Sequence, residues 1–330
     1  MISKKRQILS FLFTGILLLI LFLTAINTGS LKVSPQELVK GLFIEYNENV
    51  ATIFDLRFPR IIIAMLGGSA MAISGVLLQA VMKNPLADPG IIGISSGASL
   101  FAVIITAFAP SLYFFTPIFS FLGGMLAFAL VYSLSWKNGL SPLRIILVGV
   151  AVNAMFTGFM NAFNAGTGST LSGVAGIVNA NITMKTWDDV KVLFYYTIVG
   201  LFASLFVIKR CDLLSLEDKT ARSLGINVTN SRLAISVIAV MLASISTAII
   251  GPISFLGLIV PHIARLLVGS KHRVLIPYNI ILGAFTLLFA DTIGRTIAPP
   301  YEISASIIMS VIGGPFFIFL LRRSKAGYNG

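Results

Sequence analysis

The chain has 330 residues, of which 56% are hydrophobic and only 11% charged, and it carries a formal net charge of +12 at pH 7. A soluble domain has roughly 25% charged residues, so this composition excludes a water-covered globule. The positive charge is scattered at the ends of apolar stretches and gathers on no single face, which excludes a nucleic-acid binder.

An α-helix rises about 1.5 Å per residue, so a hydrocarbon core of about 30 Å takes about 20 apolar residues to cross. Segments 8–26, 59–82, 91–109, 116–135, 143–165, 191–208, 231–249, 253–268, 275–297 and 303–321 fit this pattern. The first follows Lys4, Lys5 and Arg6, as a signal peptide would. It is long for an h-region, and Thr24-Ala25-Ile26 is a poor cleavage site, so it is read as a retained span. The segment at 253–268 is short and contains His262 and Arg265, which predicts a place against protein or a cytosolic opening.

The charges test this threading. With a cytosolic N-terminus, only Lys32, Lys40, Arg57, Arg60, Lys185, Lys191 and Arg295 of the 24 Lys and Arg residues fall outside. Positive residues concentrate in cytosolic loops, so the bias predicts an all-α integral membrane protein with about ten transmembrane helices and both termini in the cytosol. Residues 1–330 are expected to form one transmembrane domain, with a cytosolic loop at 209–232. Five spans per half would place two repeats in opposite orientations. Gly75, Pro85 and Gly93 return at a constant offset as Gly251, Pro261 and Gly269, a faint echo of such a repeat. Ala64, Gly68 and Ala72 share a helix face, as do Gly93 and Gly97, and small faces let helices approach closely in lipid.

The fifth span carries a polar stripe. Asn153, Thr157, Asn161 and Asn164 lie on one helical face, which must meet protein or water and not lipid. The stripe is either hydrogen-bonding glue between helices or the lining of a path. It runs into the Gly/Ser/Thr-rich stretch 165–173, which reads as unwound backbone near the outer mouth.

In the loop at 209–232, Ser215 with Asp218 three residues on suggests a capping box, and Gly225 a helix end. Leu216, Ala221 and Leu224 suggest a small apolar patch, with Glu217 and Arg222 beside it. The segment is either an ordinary amphipathic surface loop or a docking helix. Among the outer cations, Arg57 and Arg60 open the second span and Arg295 ends the ninth. They either anchor in headgroups or pair with a partner's carboxylates.

Some classes of chemistry are missing from the sequence. No Gly-x-x-x-x-Gly-Lys-Ser/Thr loop is present, so ATP is not bound here through a P-loop. The single cysteine, Cys211, makes no disulfide framework and, with His262 and His272, no metal cluster. No nucleophile–base set stands out that would make this a membrane enzyme. Asp291 alone is thin support for a proton-coupled secondary carrier.

Several long motifs in order resemble the FecCD-type permeases. In the first half these are Asp55-Leu56-Arg57-Phe58-Pro59-Arg60, then Ser74-Gly75 with Gln79, then Asn84-Pro85-Leu86-Ala87-Asp88-Pro89, then Gly93-Ile94-Ser95-Ser96-Gly97-Ala98. In the second half they are Ala221-Arg222-Ser223-Leu224-Gly225, the run from Phe255 to Arg265 containing Pro261-His262, then Arg273 to Pro277, and Ala290-Asp291 with Arg295. The resemblance covers roughly residues 30–322.

It implies the type II ABC importer permease fold, in a bacterial inner or plasma membrane, moving ferric siderophores, haem or cobalamin. It implies a second permease subunit, identical or paralogous, a pair of cytosolic ABC ATPases that hold the ATP and Mg, and an extracellular or periplasmic substrate-binding protein. No cofactor is expected on this chain itself. By the same resemblance, residues 213–225 match the helices that seat in the ATPase. Arg57, Arg60 and Arg295 match arginines that receive the binding protein's glutamates, and the span holding Asn153 to Asn164 matches the path-lining helix. Many relatives carry a Trp-rich, Gly-Ser-containing segment after the fifth span. Here residues 176–187, from Gly176 to Trp187, depart from that pattern and are more similar to some haem permeases than to cobalamin permeases. The cargo expected from the resemblance is an iron complex, with cobalamin as the alternative.

Overall fold

The computed structural model describes residues 2–28, 32–135, 142–166, 177, 180, 182–299 and 301–326. Among them all regular structure is helical. In chain order the helices are α1 (Lys4–Ile26), α2 (Pro35–Phe43), α3 (Glu48–Leu56), α4 (Phe58–Met82), α5 (Ile94–Phe108), a 3-10 turn (Pro110–Phe115), α6 (Thr116–Ser135), α7 (Pro142–Gly166), α8 (Trp187–Phe206), α9 (Ile208–Leu214), α10 (Asp218–Ser223), α11 (Val228–Ile250), α12 (Leu256–Val268), α13 (His272–Thr296) and α14 (Ala305–Ala326). Every predicted apolar segment coincides with a helix. Eight helical stretches are long and apolar enough to cross a membrane, and α5 and α12 are shorter apolar helices.

Two helices were not foreseen, α2 and α3, because nine-residue helices fall below any spanning length. Their starts are nonetheless written in the sequence. Ser34 Oγ accepts from the Glu37 amide and Glu37 Oε2 from the Ser34 amide, a reciprocal cap with Pro35 at the first helical position. Leu38, Val50 and Ile53 are buried while Val39, Phe43 and Leu56 are exposed, so the pair lies as an amphipathic entry to α4.

Helix α4 is the axis of the molecule and is buried along most of its length against α8, α11, α12 and α13. Glycine makes this approach possible. A Cβ on Gly68 would stand 2.3 Å from the Gly283 carbonyl oxygen, and one on Gly283 would stand 2.5 Å from that of Gly68. The predicted Ala64–Gly68–Ala72 face is thus the α4–α13 contact, with Ala72 against Gly283.

Helices α5 and α12 both start from a left-handed residue, Gly93 (φ 85°) and Phe255 (φ 68°). The connections leading into them meet inside the bundle. Gly257, at the start of α12, lies against the backbone of α4 at Gly75, about 10 Å along the helix from its Met82 end. The carboxylate of Asp88 is fully buried at this meeting point and accepts from the amides of Gly90 (2.9 Å) and Ile91 (3.0 Å). Burial pushes this carboxyl up to about 6, and the Ile91, Gly90, Phe255 and Gly257 amides offset part of that rise. Phe255 and Gly257 stand at the start of α12, where the helix dipole favours negative charge. The echo at constant offset does not correspond to this arrangement. Gly75 is inside α4 whereas Gly251 ends α11, and Gly93 opens α5 whereas Gly269 closes α12.

Candidate functional site

Three groups of predicted residues occupy three regions: the end of the bundle near Lys83, the opposite end near Arg60, and the outer face of α7.

At the Lys83 end, α9 and α10 fold the loop 209–232 into two short helices. Asp218 is the anchor of the second. Its Oδ1 takes Lys83 Nζ at 2.8 Å and Arg232 Nη2 at 3.0 Å, joining α10 to the end of α4 and the start of α11. The hydrogen bond from Lys83, with the charges of Arg232, Lys83 and Arg222, outweighs partial burial and holds this carboxyl below its ordinary range. Asp212 does the same for α9, accepting from the His272 amide (3.0 Å) and lying 2.7 Å from His272 Nδ1 at the start of α13.

The predicted helix end is present in full. Gly225 has φ 83°, its amide donates to the Arg222 carbonyl (2.9 Å), and the Ile226 amide donates to that of Ala221 (3.3 Å), a Schellman motif. The predicted capping box is absent. Ser215 ends α9 and its hydroxyl donates to the Asp212 carbonyl, while Asp218 is occupied by Lys83 and Arg232. Ala221 is also not part of a surface patch, since it is fully buried and faces inward. Leu216, Glu217, Arg222, Leu224 and Gly225 are exposed, so the surface offered is apolar with flanking charge. Lys83 was not singled out from sequence. Its signal was a lone cation just before Asn84-Pro85, where α4 has to stop.

At the opposite end, the arginines form an ionic knot. Arg60 grips Asp291 with Nε (3.1 Å to each carboxylate oxygen) and Nη2 (2.8 Å). Its remaining arm, Nη1, reaches Glu302 at 2.8 Å. Arg295 Nε lies 3.4 Å from the other Asp291 oxygen. Arg57 Nη1 donates to the Ile26 carbonyl and Arg295 Nη2 to that of Ala25 (3.4 Å), so two of the arginines also cap the C-terminus of α1.

Sequence reasoning expected these three cations on an outer surface. The structure buries the side chains of Arg60 and Arg295, leaves Arg57 half-buried, and surrounds them with two carboxylates of the same chain. Asp291 is 1% exposed and held by two guanidiniums, which suits a fixed counter-ion better than a proton relay. Glu302 was not singled out from sequence. Burial would raise its carboxyl, but the hydrogen bond and charge of Arg60 and the hydrogen bond from Thr183 outweigh that and hold it below the usual range. A cavity of about 360 Å³ opens beside the knot, lined by Arg60, Thr183, Asp291, Glu302, Ser304 and Ser306 among others.

The third region is α7, which packs on α5 and α6 at the edge of the chain. Val152, Phe156 and Met160 fill the packed side. Asn153, Thr157 and Asn164 are half-buried along its border and Asn161 is exposed. The stripe therefore flanks the packed side, with Asn161 its only exposed member, and the exposed Met155 and Phe159 lie on the opposite flank of the helix. The stretch 167–176 and residues 178, 179 and 181 lie outside the described residues. Among the described residues, no group of three His, Cys, Asp or Glu side chains is placed to hold a metal ion.

A helical bundle with eight membrane-competent stretches and short helices fastened at one end defines a multi-pass membrane protein of the permease class. The pattern of the FecCD transport family fits residues 17–323, and the chain belongs to that family. It is 40% identical over 325 residues, covering 98% of both chains, to the protein named "Probable heme-iron transport system permease protein IsdF" of Staphylococcus aureus (strain MSSA476), and equally so to that of strain Newman. A solved structure described as an inward-facing conformation of a metal-chelate type ABC transporter superposes with a TM-score of 0.78 at 28% identity, covering 96% of this chain and 99% of that one. The chain also shares its fold with PsaBC from Streptococcus pneumoniae, with a TM-score of 0.56 at 15% identity.

Proposed function

We propose that the chain is the membrane permease subunit of an ATP-driven importer that carries an iron complex, haem or a ferric siderophore, into the cytosol by alternating access. The observation that carries this reading is the 40% identity, over nearly the whole of both chains, to a haem-iron permease. In this reading the Lys83 end faces the cytosol. The exposed Leu216, Glu217, Arg222, Leu224 and Gly225 seat in a pair of ABC ATPases, which hold the ATP and Mg, and this chain performs no hydrolysis itself. Because Asp218 and Asp212 fasten the short helices to α4, α11 and α13, a push on them reaches the long helices as a lever. The Arg60 end faces outside and receives a substrate-binding protein through Arg57, Arg60 and Arg295. The α7 face meets a second permease subunit, identical or paralogous. Asn153, Thr157, Asn161 and Asn164 then line the path between them, with weak dispersed contacts suited to a large cargo and no cofactor bound by this chain.

Uptake of labelled iron, offered as haem or as ferric siderophores, in cells with and without this chain tests the reading. Loss of one class of iron uptake supports it. Unchanged iron uptake with loss of cobalamin uptake overturns the choice of cargo.

A further inference from the structure

One carboxylate at the Arg60 end has a different character from the other. Asp291 takes two arms of Arg60 and is 1% exposed, so it is fixed. Glu302 takes the third arm only, from the irregular connection between α13 and α14, and its side chain is 40% exposed. The same oxygen, Oε2, also accepts the Thr183 hydroxyl at 2.8 Å. That single atom ties the start of α4 to residues 182–186, which lead into α8.

Three guanidiniums, Arg57, Arg60 and Arg295, stand here against two carboxylates, so the cluster keeps a surplus positive charge. The cavity beside Glu302, of mixed lining, leaves room for a further acidic group. A half-exposed ion pair contributes little net stability, and one carboxylate substitutes for another at a guanidinium with nearly unchanged geometry.

We propose that Glu302 is an exchangeable internal carboxylate, and that an acidic side chain of the docking binding protein displaces it from Arg60 Nη1. Because the same Glu302 oxygen also accepts from Thr183, the exchange disturbs one of the contacts that hold the 182–186 connection, so docking is felt just before the start of α8. This rests on the docking role of the arginines proposed above.

The test uses the assembled permease–ATPase complex in lipid nanodiscs with its own purified binding protein. Glu302→Gln keeps the shape and the acceptor for Thr183 but removes the competing charge. The expected result is tighter binding of the binding protein, by about tenfold, and faster amide exchange at 182–186 on docking to the wild-type complex. Unchanged or weaker binding of the Glu302→Gln complex overturns the exchange. The docking role itself is read from salt in the wild-type complex, since a contact through guanidiniums weakens as ionic strength rises. If affinity is insensitive to salt, the docking role falls. If it is salt-sensitive and Glu302→Gln binds no tighter, only the exchange falls.

Discussion

Lys83 and Asp218, 135 residues apart in sequence, are joined by a 2.8 Å ion pair that fastens the short helix α10 to the end of the central helix α4. Both side chains are about one-third exposed. The pair therefore contributes at most about 1 kcal/mol to stability. Its value is mechanical, because it makes α10 move with α4.

Lys83→Ala is expected to leave the amount of folded protein in the membrane nearly unchanged and to reduce uptake several-fold, with ATP hydrolysis by the complex continuing. The Asp218 carboxyl is held below its ordinary range, so the stability it contributes is present above the unfolded pKa of about 4 and is lost only as pH falls through the lowered folded value. The clamp is thus intact throughout the neutral range. An uptake defect of Lys83→Ala confined to mildly acidic pH would contradict this assignment.

Arg222 is exposed on α10, one residue past the buried Ala221. Arg222→Glu is expected to change the stability of the isolated chain by no more than about 0.5 kcal/mol, while reversing charge in the surface assigned to the ATPase. Co-purification of the ATPase with the tagged chain should fall. Full assembly with full uptake would move the interface elsewhere.

The buried knot behaves in the opposite way. Asp291→Ala leaves Arg60 and Arg295 buried without their shared counter-ion, a loss of about 3–5 kcal/mol. Membrane abundance and thermal stability in detergent should both drop. Arg60→Lys is expected to lower both as well, because a lysine cannot reproduce the forked grip on Asp291 that leaves an arm for Glu302.

Much of the bundle was legible in the sequence because lipid imposes a length and a composition on each span. Each of the ten apolar segments coincides with a helix, and eight of these helices are long enough to cross a membrane. The Gly225 helix end was legible for a local reason, the need for a positive φ. What sequence hid was long-range pairing. Nothing local says that Asp218 belongs to Lys83 and Arg232, so a capping box with Ser215 looked natural. In the same way, Arg60 read as a surface cation because Asp291 and Glu302 reach it across 231 and 242 residues of chain, whereas Arg295 has Asp291 one helical turn away. The α2–α3 pair was missed because an interfacial helix is too short to register as a span.

Close packing makes a sharper prediction. A Cβ on Gly283 would stand 2.5 Å from the Gly68 carbonyl oxygen, and backbone cannot step aside as a side chain can. Gly283→Ala should cost about 1–3 kcal/mol by forcing α4 and α13 apart. Gly158, on α7, has no neighbouring atom within 4 Å of a built Cβ. Gly158→Ala should therefore be neutral or slightly stabilising in a thermal melt of the purified chain. Equal losses from the two variants would mean that α7 is covered within the chain.

The α7 face yields the prediction that bears most directly on transport. Asn161 is exposed on a helix whose opposite side, at Val152, Phe156 and Met160, is packed. An amide turned toward lipid is costly, so its presence there fits a neighbour or a water-filled path. Asn161→Leu removes no buried hydrogen bond and should leave folding intact. If the stripe lines the path, uptake should fall at unchanged membrane abundance, and adding Thr157→Val should deepen the loss. If both variants import normally while assembly of the permease pair weakens, the stripe holds the two subunits together and does not line the path. Measuring uptake and cross-linked dimer in the same membranes separates these outcomes.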